Sequence, residues 1–209
     1  TWGLRKLRLV YDLRNRSYTE SWLRDFSAVF AAAGGTLLEP ISFTSSDEVV
    51  FSGLARRALS DSPDGIVIVA NSVDTAMLCE SIRKLNTAIA VGAAEWASTG
   101  RLIELGGKSV EGIAVEHFFN QQSTQPAYLA FRQDYFKRFG QEPGFGALYT
   151  FDATTVLLDA MQKMTPDQSL KQALLAQGSF AGSQSPIRFD ATGDSDGGSL
   201  IFIVKDGAY

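Results

Sequence analysis

The stretch that decides the fold is Asp64-Gly-Ile-Val-Ile-Val-Ala-Asn-Ser72, or DGIVIVANS in one-letter code. Its centre, Ile66–Ala70, is apolar without interruption, which is typical of a strand buried on both faces of a parallel sheet. Asn71 or Ser72 can cap a following helix, predicted over Asp74–Leu85. The stretch therefore predicts a buried strand, a tight turn and a helix in direct succession.

The same alternation of strand and helix signals continues on both sides of this stretch. Strand-like runs occur at Leu7–Tyr11, Thr36–Phe43, Thr87–Val91 and Gly112–Val115. Helix-like segments alternate with them at Tyr18–Ala33, Glu48–Ser60 and Thr99–Leu105. This order predicts an α/β fold over residues 1–116, with a doubly wound parallel sheet and helices on both faces. Sheets of this kind bind ligands beyond the carboxyl ends of their strands.

Beyond residue 116 the pattern changes from alternation to helices. Three helices are predicted, at 124–139, Phe145–Met164 and Asp167–Gln177. They are followed by an extended piece at Pro186–Phe189, an acidic, turn-rich loop at Asp190–Gly198 and a final strand at Ser199–Val204. Helical material thus separates the sheet from its last strand, so the polypeptide is expected to leave one domain and return to it.

The composition is that of a soluble globular protein. The chain has 209 residues, of which 45% are hydrophobic and 20% are charged, and its formal net charge is −4. No apolar run approaches the roughly 20 residues that a membrane span needs. The 19 basic residues are scattered along the chain, which argues against nucleic acid as a partner. The opening, Thr1-Trp2-Gly3, carries no signal-peptide pattern and is interpreted as a cut edge.

The sequence offers little that could carry catalysis or hold a cofactor. His117 is its single histidine and Cys79 its single cysteine, which excludes multi-histidine and cysteine-rich metal sites. The helical spacing around Cys79 predicts a buried, inert thiol. Neither a glycine-rich phosphate loop nor a GxSxG motif is present, so no cofactor, no metal and no catalytic residue is predicted. Glu116 and His117, at the end of a strand, leave an enzyme as a minor alternative.

Polar and aromatic side chains are concentrated where the predicted strands end. They are Asn15, Ser17, Tyr18, Asn71, Ser72, Glu95, Trp96, Ser98 and Phe118. Parallel strands place their carboxyl ends at one edge of the sheet, so these groups are expected to form a rim. Glu95 offers a negative charge, while Tyr18 and Trp96 offer apolar walls. Such a rim suits a small polar ligand that carries an ammonium or a carboxylate group.

Several longer segments together carry a family pattern. They include LRLVYDLRNRSYTESWLRDFSAVFAAAGG (7–35), the segment 64–86, and VGAAEWAST (91–99). The most specific are the helix pair at 126–161, which begins PAYLAFRQDYFKRFG, and RFDATGDSDGGSLIFIVKDGAY (188–209). These segments resemble the type I periplasmic binding proteins, in their branched-chain (leucine/isoleucine/valine) amino-acid branch. The resemblance covers nearly the whole chain in unbroken order.

The resemblance implies a clamshell of two lobes that closes on a ligand. Residues 1–117 and 198–209 would form the second lobe, and residues 118–197 the mainly helical remainder of the first. The N-terminal part of the first lobe has no counterpart in this sequence. The segment 124–178 is therefore expected to expose apolar side chains and to favour a dimer through them, with Phe131, Tyr135, Phe145 and Leu157 as examples.

The resemblance also implies a function, that of a periplasmic or extracellular receptor that binds an amino acid or similar small molecule for an ABC permease. The ligand contacts fall on Tyr18, Asn71, Ser72, Glu95 and Trp96, with Phe118 towards the hinge. Hinge closure without turnover is the expected mechanism. A ligand-sensing domain of a signalling protein is the alternative, and an enzyme that uses His117 and Glu116 is a lesser one.

Overall fold

The computed structural model describes residues 3–195 and 198–209. Contacts within the chain divide it into two compact units. The first comprises Thr1–His117 and Ile201–Tyr209, and the second comprises Phe118–Leu200. Two segments named in the sequence analysis lie partly outside the described residues. Residues 1–2 belong to the opening of the chain, and residues 196–197 belong to the acidic loop Asp190–Gly198.

The first unit is built from strands that alternate with helices. Its strands are β1 Lys6–Asp12, β2 Thr36–Leu37, β3 Ile41–Phe43, β4 Gly65–Val69, β5 Ala90–Ala93, β6 Ala114–His117 and, at the end of the chain, β9 Leu200–Ile203. Its helices are α1 Arg16–Ala32, α2 Phe51–Leu59, α3 Ser72–Leu85 and α4 Gly100–Gly106. Short 3-10 turns occupy Leu13–Asn15, Glu95–Ala97 and Gly107–Val110.

The strands form one sheet in the order β2-β1-β4-β5-β6-β9, and β3 also pairs with β1. The pairings of β1 with β2, β3 and β4, and of β5 with β4 and β6, are parallel. This confirms the predicted doubly wound parallel sheet. From β1 the chain moves to β2 and β3 on one side and then returns to β4 on the other. The loops after β1 and β4 therefore diverge, and such a switch point leaves a crevice in open α/β sheets.

The main core of the first unit packs strand side chains against α2, α3 and α4. Its buried members include Val10, Ile66, Ile68, Val91, Val115, Leu54, Leu78, Ile82 and Leu102. The helix α3 contacts both α2 and α4, so the three helices form one layer. Four of the five residues of β4 are buried, which agrees with its unbroken apolar sequence.

Two boundaries in the first unit differ from the sequence prediction. The predicted strand Thr36–Phe43 divides into β2 and β3, with Glu39 and Pro40 in the break. Proline lacks the N–H that a ladder requires, so the pairing with β1 stops there and resumes at Ile41. In addition, α2 begins at Phe51 rather than at Glu48, and the Glu48 N–H donates to the Ser46 hydroxyl in a turn that precedes the helix.

The second unit is mainly helical. It contains α5 Pro126–Phe139, α6 Phe145–Lys163 and α7 Leu170–Gln177, followed by β7 Ser179–Phe180 and β8 Ile187–Arg188. The last two strands form a small antiparallel pair, and β7 was not predicted because two residues carry no periodicity. A capping box between Ser169 and Gln172 starts α7 three residues later than predicted. Among the described residues, no helix is long and apolar enough to cross a membrane.

The apolar residues predicted to be exposed in the second unit are not all exposed. Phe145 and Leu157 are, and Tyr135 is half-buried. Phe131 is buried, with 9% of its surface exposed, so for this residue the prediction was wrong. Its ring packs against Phe151 at 4.7 Å, within a cluster that also holds Tyr128 and Leu148. The helices α5 and α6 thus bury this position between themselves, without any further covering layer.

A buried arginine ties the first strand to two loops at the amino end of the sheet. Arg8 in β1 has 4% of its surface exposed. Its Nη1 donates to the Glu39 carbonyl at 2.6 Å, and its Nη2 donates to the Ser60 carbonyl at 3.1 Å and to Asp61 Oδ2 at 2.6 Å. The guanidinium therefore holds the chain before β3 and the turn after α2 against β1.

Replacing this arginine by an apolar chain of similar length tests its role. Arg8→Met removes these three bonds and a fourth, from Nη2 to the Ser60 hydroxyl at 3.3 Å. It leaves two carbonyls without their donor, so we expect the free energy of unfolding to fall by about 2–3 kcal/mol. Urea denaturation measures the change. Arg16→Met is the matched control, because Arg16 is exposed and its ion pair, with Glu20 one turn away, is exposed as well. Equal stability of the two variants would contradict the interpretation.

Candidate functional site

A cavity opens at the switch point of the sheet, where the loops after β1 and β4 diverge. Its volume is about 350 Å³, and it is lined by Asp12, Arg14, Asn15, Asn71 and Trp96. Asp12 ends β1, Asn71 follows β4, and Trp96 lies in the turn after β5. Three successive strand ends of the sheet therefore contribute to one cavity.

Asn71 is the N-cap of α3, as predicted. Its Oδ1 accepts hydrogen bonds from the backbone N–H groups of Val73 (2.9 Å) and Asp74 (3.0 Å). Its Nδ2 donates to Asp74 Oδ2 at 2.7 Å. Ser72, the other predicted contact in this loop, is the first residue of α3. The Asn71 side chain thus fixes the loop, and its oxygen is already occupied by the helix.

Tyr18 and Trp96 are brought together, edge to face. Their ring centroids are 6.0 Å apart and their planes lie at 83°. The Tyr18 hydroxyl is buried and has no hydrogen-bond partner among the described residues. Burial, and then the carboxylates of Glu95 and Glu116, raise its pKa well above the ordinary range. Of the two carboxylates, that of Glu95 has the larger effect on this pKa.

Glu95 and Glu116 each accept one hydrogen bond, Glu95 through its backbone carbonyl and Glu116 through its carboxylate. Glu95 lies in the turn after β5, where the Ser98 hydroxyl donates to its carbonyl at 2.5 Å. Glu116 is in β6, and its Oε2 accepts from Trp22 Nε1 at 3.3 Å. The two carboxylates lie near enough to Tyr18 for their charges to act on its hydroxyl. This part of the rim is therefore rich in hydrogen-bond acceptors.

Asp12 is a site residue that sequence reasoning missed. It is fully buried, and its Oδ1 accepts from the backbone N–H groups of Arg14 and Ser45, both at 3.0 Å. Its Oδ2 is buried and has no hydrogen-bond partner in the part of the chain that the structure describes. In the sequence, Asp12 reads as the residue that closes a strand. The available signal was its position at the carboxyl end of a strand beside the switch point.

The last predicted contact, Phe118, belongs to the second unit. It lines a cavity of about 660 Å³ whose walls are mostly apolar, with Tyr149 and Leu157 among them. Burial and the neighbouring Asp152 raise the pKa of Tyr149 to about 12. The Asp152 carboxylate in turn accepts from the backbone N–H and the hydroxyl of Ser183. Asp152 is thus held by a structural contact.

Neither reactive side chain of the sequence shows a catalytic setting. Burial raises the pKa of the Cys79 thiol to about 12, and Cys79 is fully buried, as predicted. His117 is 7% exposed, and its ring meets those of Phe202 and Tyr209 edge-on, each at 5.6 Å. Burial lowers the pKa of His117. Within residues 3–195 and 198–209, no group of three histidine, cysteine or acidic side chains is placed to hold a metal ion.

The sequence and the fold both match known binding proteins. The sequence model of the periplasmic binding protein family matches residues 1–205. The leucine-binding protein LivK of Thermotoga maritima is 26% identical, with a TM-score of 0.87 over 99% of this chain and 59% of LivK. The chain thus spans about three-fifths of the length of LivK. No curated protein sequence matches the chain.

Two further structures show the same fold at lower identity. LivJ of Streptococcus pneumoniae, solved with isoleucine, is 14% identical, with a TM-score of 0.84 over 99% of this chain and 59% of LivJ. A solute-binding protein of an ABC transporter from R. palustris, solved with benzoate, is 18% identical. Its TM-score is 0.82, over 99% of this chain and 57% of that protein.

The buried hydroxyl of Tyr18 leads to a stability prediction. Because the hydroxyl has no hydrogen-bond partner among the described residues, its removal in Tyr18→Phe is expected to raise the free energy of unfolding by about 1 kcal/mol. Tyr128→Phe is the matched control, because the Tyr128 hydroxyl donates to the Gln121 carbonyl and its loss should be destabilising. Thermal denaturation of both variants checks the prediction, and a destabilised Tyr18→Phe would contradict it.

His117 predicts a pH dependence of stability. Its native pKa is below the ordinary value of 6.5, so the folded protein favours the neutral ring. The contribution of His117 is therefore complete above pH 6.5 and is lost as the pH falls from there towards the lowered native pKa. We expect His117→Gln to lose less stability than the wild type between pH 8 and pH 5. Urea denaturation across that range measures the difference, and parallel curves would contradict the prediction.

Proposed function

This chain belongs to the periplasmic binding protein family, and we propose that it is part of an extracytoplasmic receptor that binds an amino acid or similar small molecule and delivers it to an ABC permease. The observation that carries the proposal is the cavity at the switch point, lined by Asn71 and Trp96. Both residues were expected to contact the ligand on the basis of family resemblance. LivK and LivJ are the related proteins that support the amino-acid class.

The chemistry around this cavity suits a zwitterion. Glu95, beside the Tyr18 ring, supplies a negative charge for an α-ammonium group. Arg14 is exposed and lines the cavity, so its guanidinium can reach a carboxylate. The backbone N–H groups of Val73 and Asp74, in the first turn of α3, are already bonded to the Asn71 side chain. Trp96 supplies an apolar wall between the two charged groups.

We assign the two units to the two lobes of the receptor. Residues 1–117 and 198–209 would form the sheet lobe, and residues 118–197 the helical remainder of the other lobe. Phe118 lines a mostly apolar cavity, and Phe145 and Leu157 are exposed. These apolar surfaces support the proposal that other protein surfaces cover the second unit. A dimer through these residues is one such arrangement. Ligand binding would stabilise a closed state of the receptor by population shift, without any chemical step.

We propose no catalytic function for this chain. The family is one of binding proteins. The enzyme alternative needs His117 as a base, but its ring is enclosed by Phe202 and Tyr209. Burial lowers its pKa, which reflects an apolar environment and requires no catalytic neighbour.

Isothermal titration of the chain with leucine, isoleucine, glutamate, lysine, arginine and benzoate tests the proposal. We expect saturable binding of at least one amino acid, accompanied by a shift in melting temperature. Trp96→Ala should weaken this binding at least about tenfold, because it removes the largest apolar wall of the cavity. Leu105→Ala, at an exposed position away from the cavity, is the control that should bind normally. Absence of binding across the whole panel would contradict the proposed function.

A further inference from the structure

The unpartnered carboxylate oxygen of Asp12 indicates what kind of molecule the switch-point cavity takes. We propose that Asp12 binds a protonated nitrogen in the ligand's side chain, so that the receptor is selective for basic amino acids or related diamines. This inference rests on the proposed function, and it narrows the ligand to one that carries a second cationic nitrogen in addition to the ammonium group placed beside Glu95.

The two oxygens of Asp12 have different roles. Oδ1 accepts from two backbone N–H groups and so fixes the carboxylate between the loops after β1 and β3. Oδ2 is buried without a partner, although Asp12 lines the cavity. A buried acceptor without a donor is unfavourable, and more so when it carries charge. A ligand N–H group in the cavity would supply the missing donor, so binding would remove a penalty that the free protein carries.

A cation fits this cavity better than a neutral donor does. The indole of Trp96 lines the same cavity, and the face of an indole attracts ammonium and guanidinium groups. Glu95 and Glu116 add negative charge to the neighbouring rim, as their effect on Tyr18 shows. Arg14 is the opposing cation, exposed on the turn after β1, and the proposed function pairs it with the carboxylate of the ligand. The buried charge that remains is the one on Asp12.

Two other acceptors near the cavity, Asn71 and Glu95, already have a partner or an assigned role, so Asp12 is the group proposed to bind the side-chain cation. The Asn71 oxygen already receives two backbone N–H groups. Glu95 lies beside Tyr18, where the proposed function places the α-ammonium group. A metal ion is a poor fit, because among residues 3–195 and 198–209 no three acidic, histidine or cysteine side chains converge. An organic cation with one or a few N–H donors matches the unpartnered Oδ2 of Asp12.

Pairs of ligands that differ only in charge test the inference on the unaltered chain. Lysine is compared with norleucine, which lacks the ε-ammonium group, and arginine with citrulline, which lacks the charge. We expect isothermal titration to show binding of lysine or arginine that is about tenfold or more tighter than that of its uncharged counterpart. Putrescine and cadaverine form a further arm, and binding of either supports the inference and identifies diamines as ligands.

The variant Asp12→Asn separates charge recognition from structure. An amide keeps an oxygen to accept from the Arg14 and Ser45 N–H groups, while its NH₂ replaces Oδ2. We expect the variant to lose the preference for lysine over norleucine. Asp25→Asn is the matched control, since Asp25 is exposed, pairs with the adjacent Arg24 and does not line the cavity. It should keep the full preference.

The outcomes distinguish this inference from the proposed function. If leucine, norleucine or citrulline binds as tightly as the basic amino acids, the inference is wrong and the receptor function stands. The same conclusion follows if Asp12→Asn keeps the wild-type preference. If no amino acid or diamine binds at all, the receptor function itself is contradicted. The comparison of ligand pairs on the wild type decides the question even if Asp12→Asn fails to fold.

Discussion

The position of β1 inside the parallel sheet determines where this protein can bind anything. Because β2 and β3 pair with one edge of β1 and β4 pairs with the other, the chain must reverse its winding direction between β3 and β4. The loops after β1 and β4 then separate and leave an open space between them. The cavity, its acidic rim and its aromatic wall all follow from this reversal.

The side chains around the cavity divide into those that hold loops and those that keep free polar atoms. Asn71 and Oδ1 of Asp12 bind backbone N–H groups and so fix the two diverging loops. Oδ2 of Asp12 and the Tyr18 hydroxyl are buried without partners among the described residues. Loops that are fixed by their own hydrogen bonds can keep unpartnered groups in position, which lowers the ordering cost when a ligand arrives. This division is what a preorganised binding surface requires.

The sequence predicted those features that depend on local periodicity or composition. It did not predict the role of a residue whose hydrogen-bond partner is distant in sequence. The apolar run of β4 and the cap at Asn71 were readable because both signals are local. Asp12 was not recognised as a site residue. Its position in the site depends on a hydrogen bond from Ser45, 33 residues away, and on the path of the chain from β1 to β3. The rim residues were predicted, but that Tyr18 would contact Trp96 edge-on required the fold.

The helix α6 gives a physical reason, independent of the comparisons, for the proposal that the second unit belongs to a larger lobe. Its inner stripe, with Leu148 and Val156, is buried within the unit. Its other sides also carry large apolar groups, and Phe151, Leu158 and Met161 remain between 46% and 56% exposed. A surface helix of a globular protein normally has one apolar stripe, and a helix that is apolar all round is normally enclosed. The composition of α6 therefore suits a helix at the centre of a lobe, and the exposed apolar side chains are those that further layers would cover.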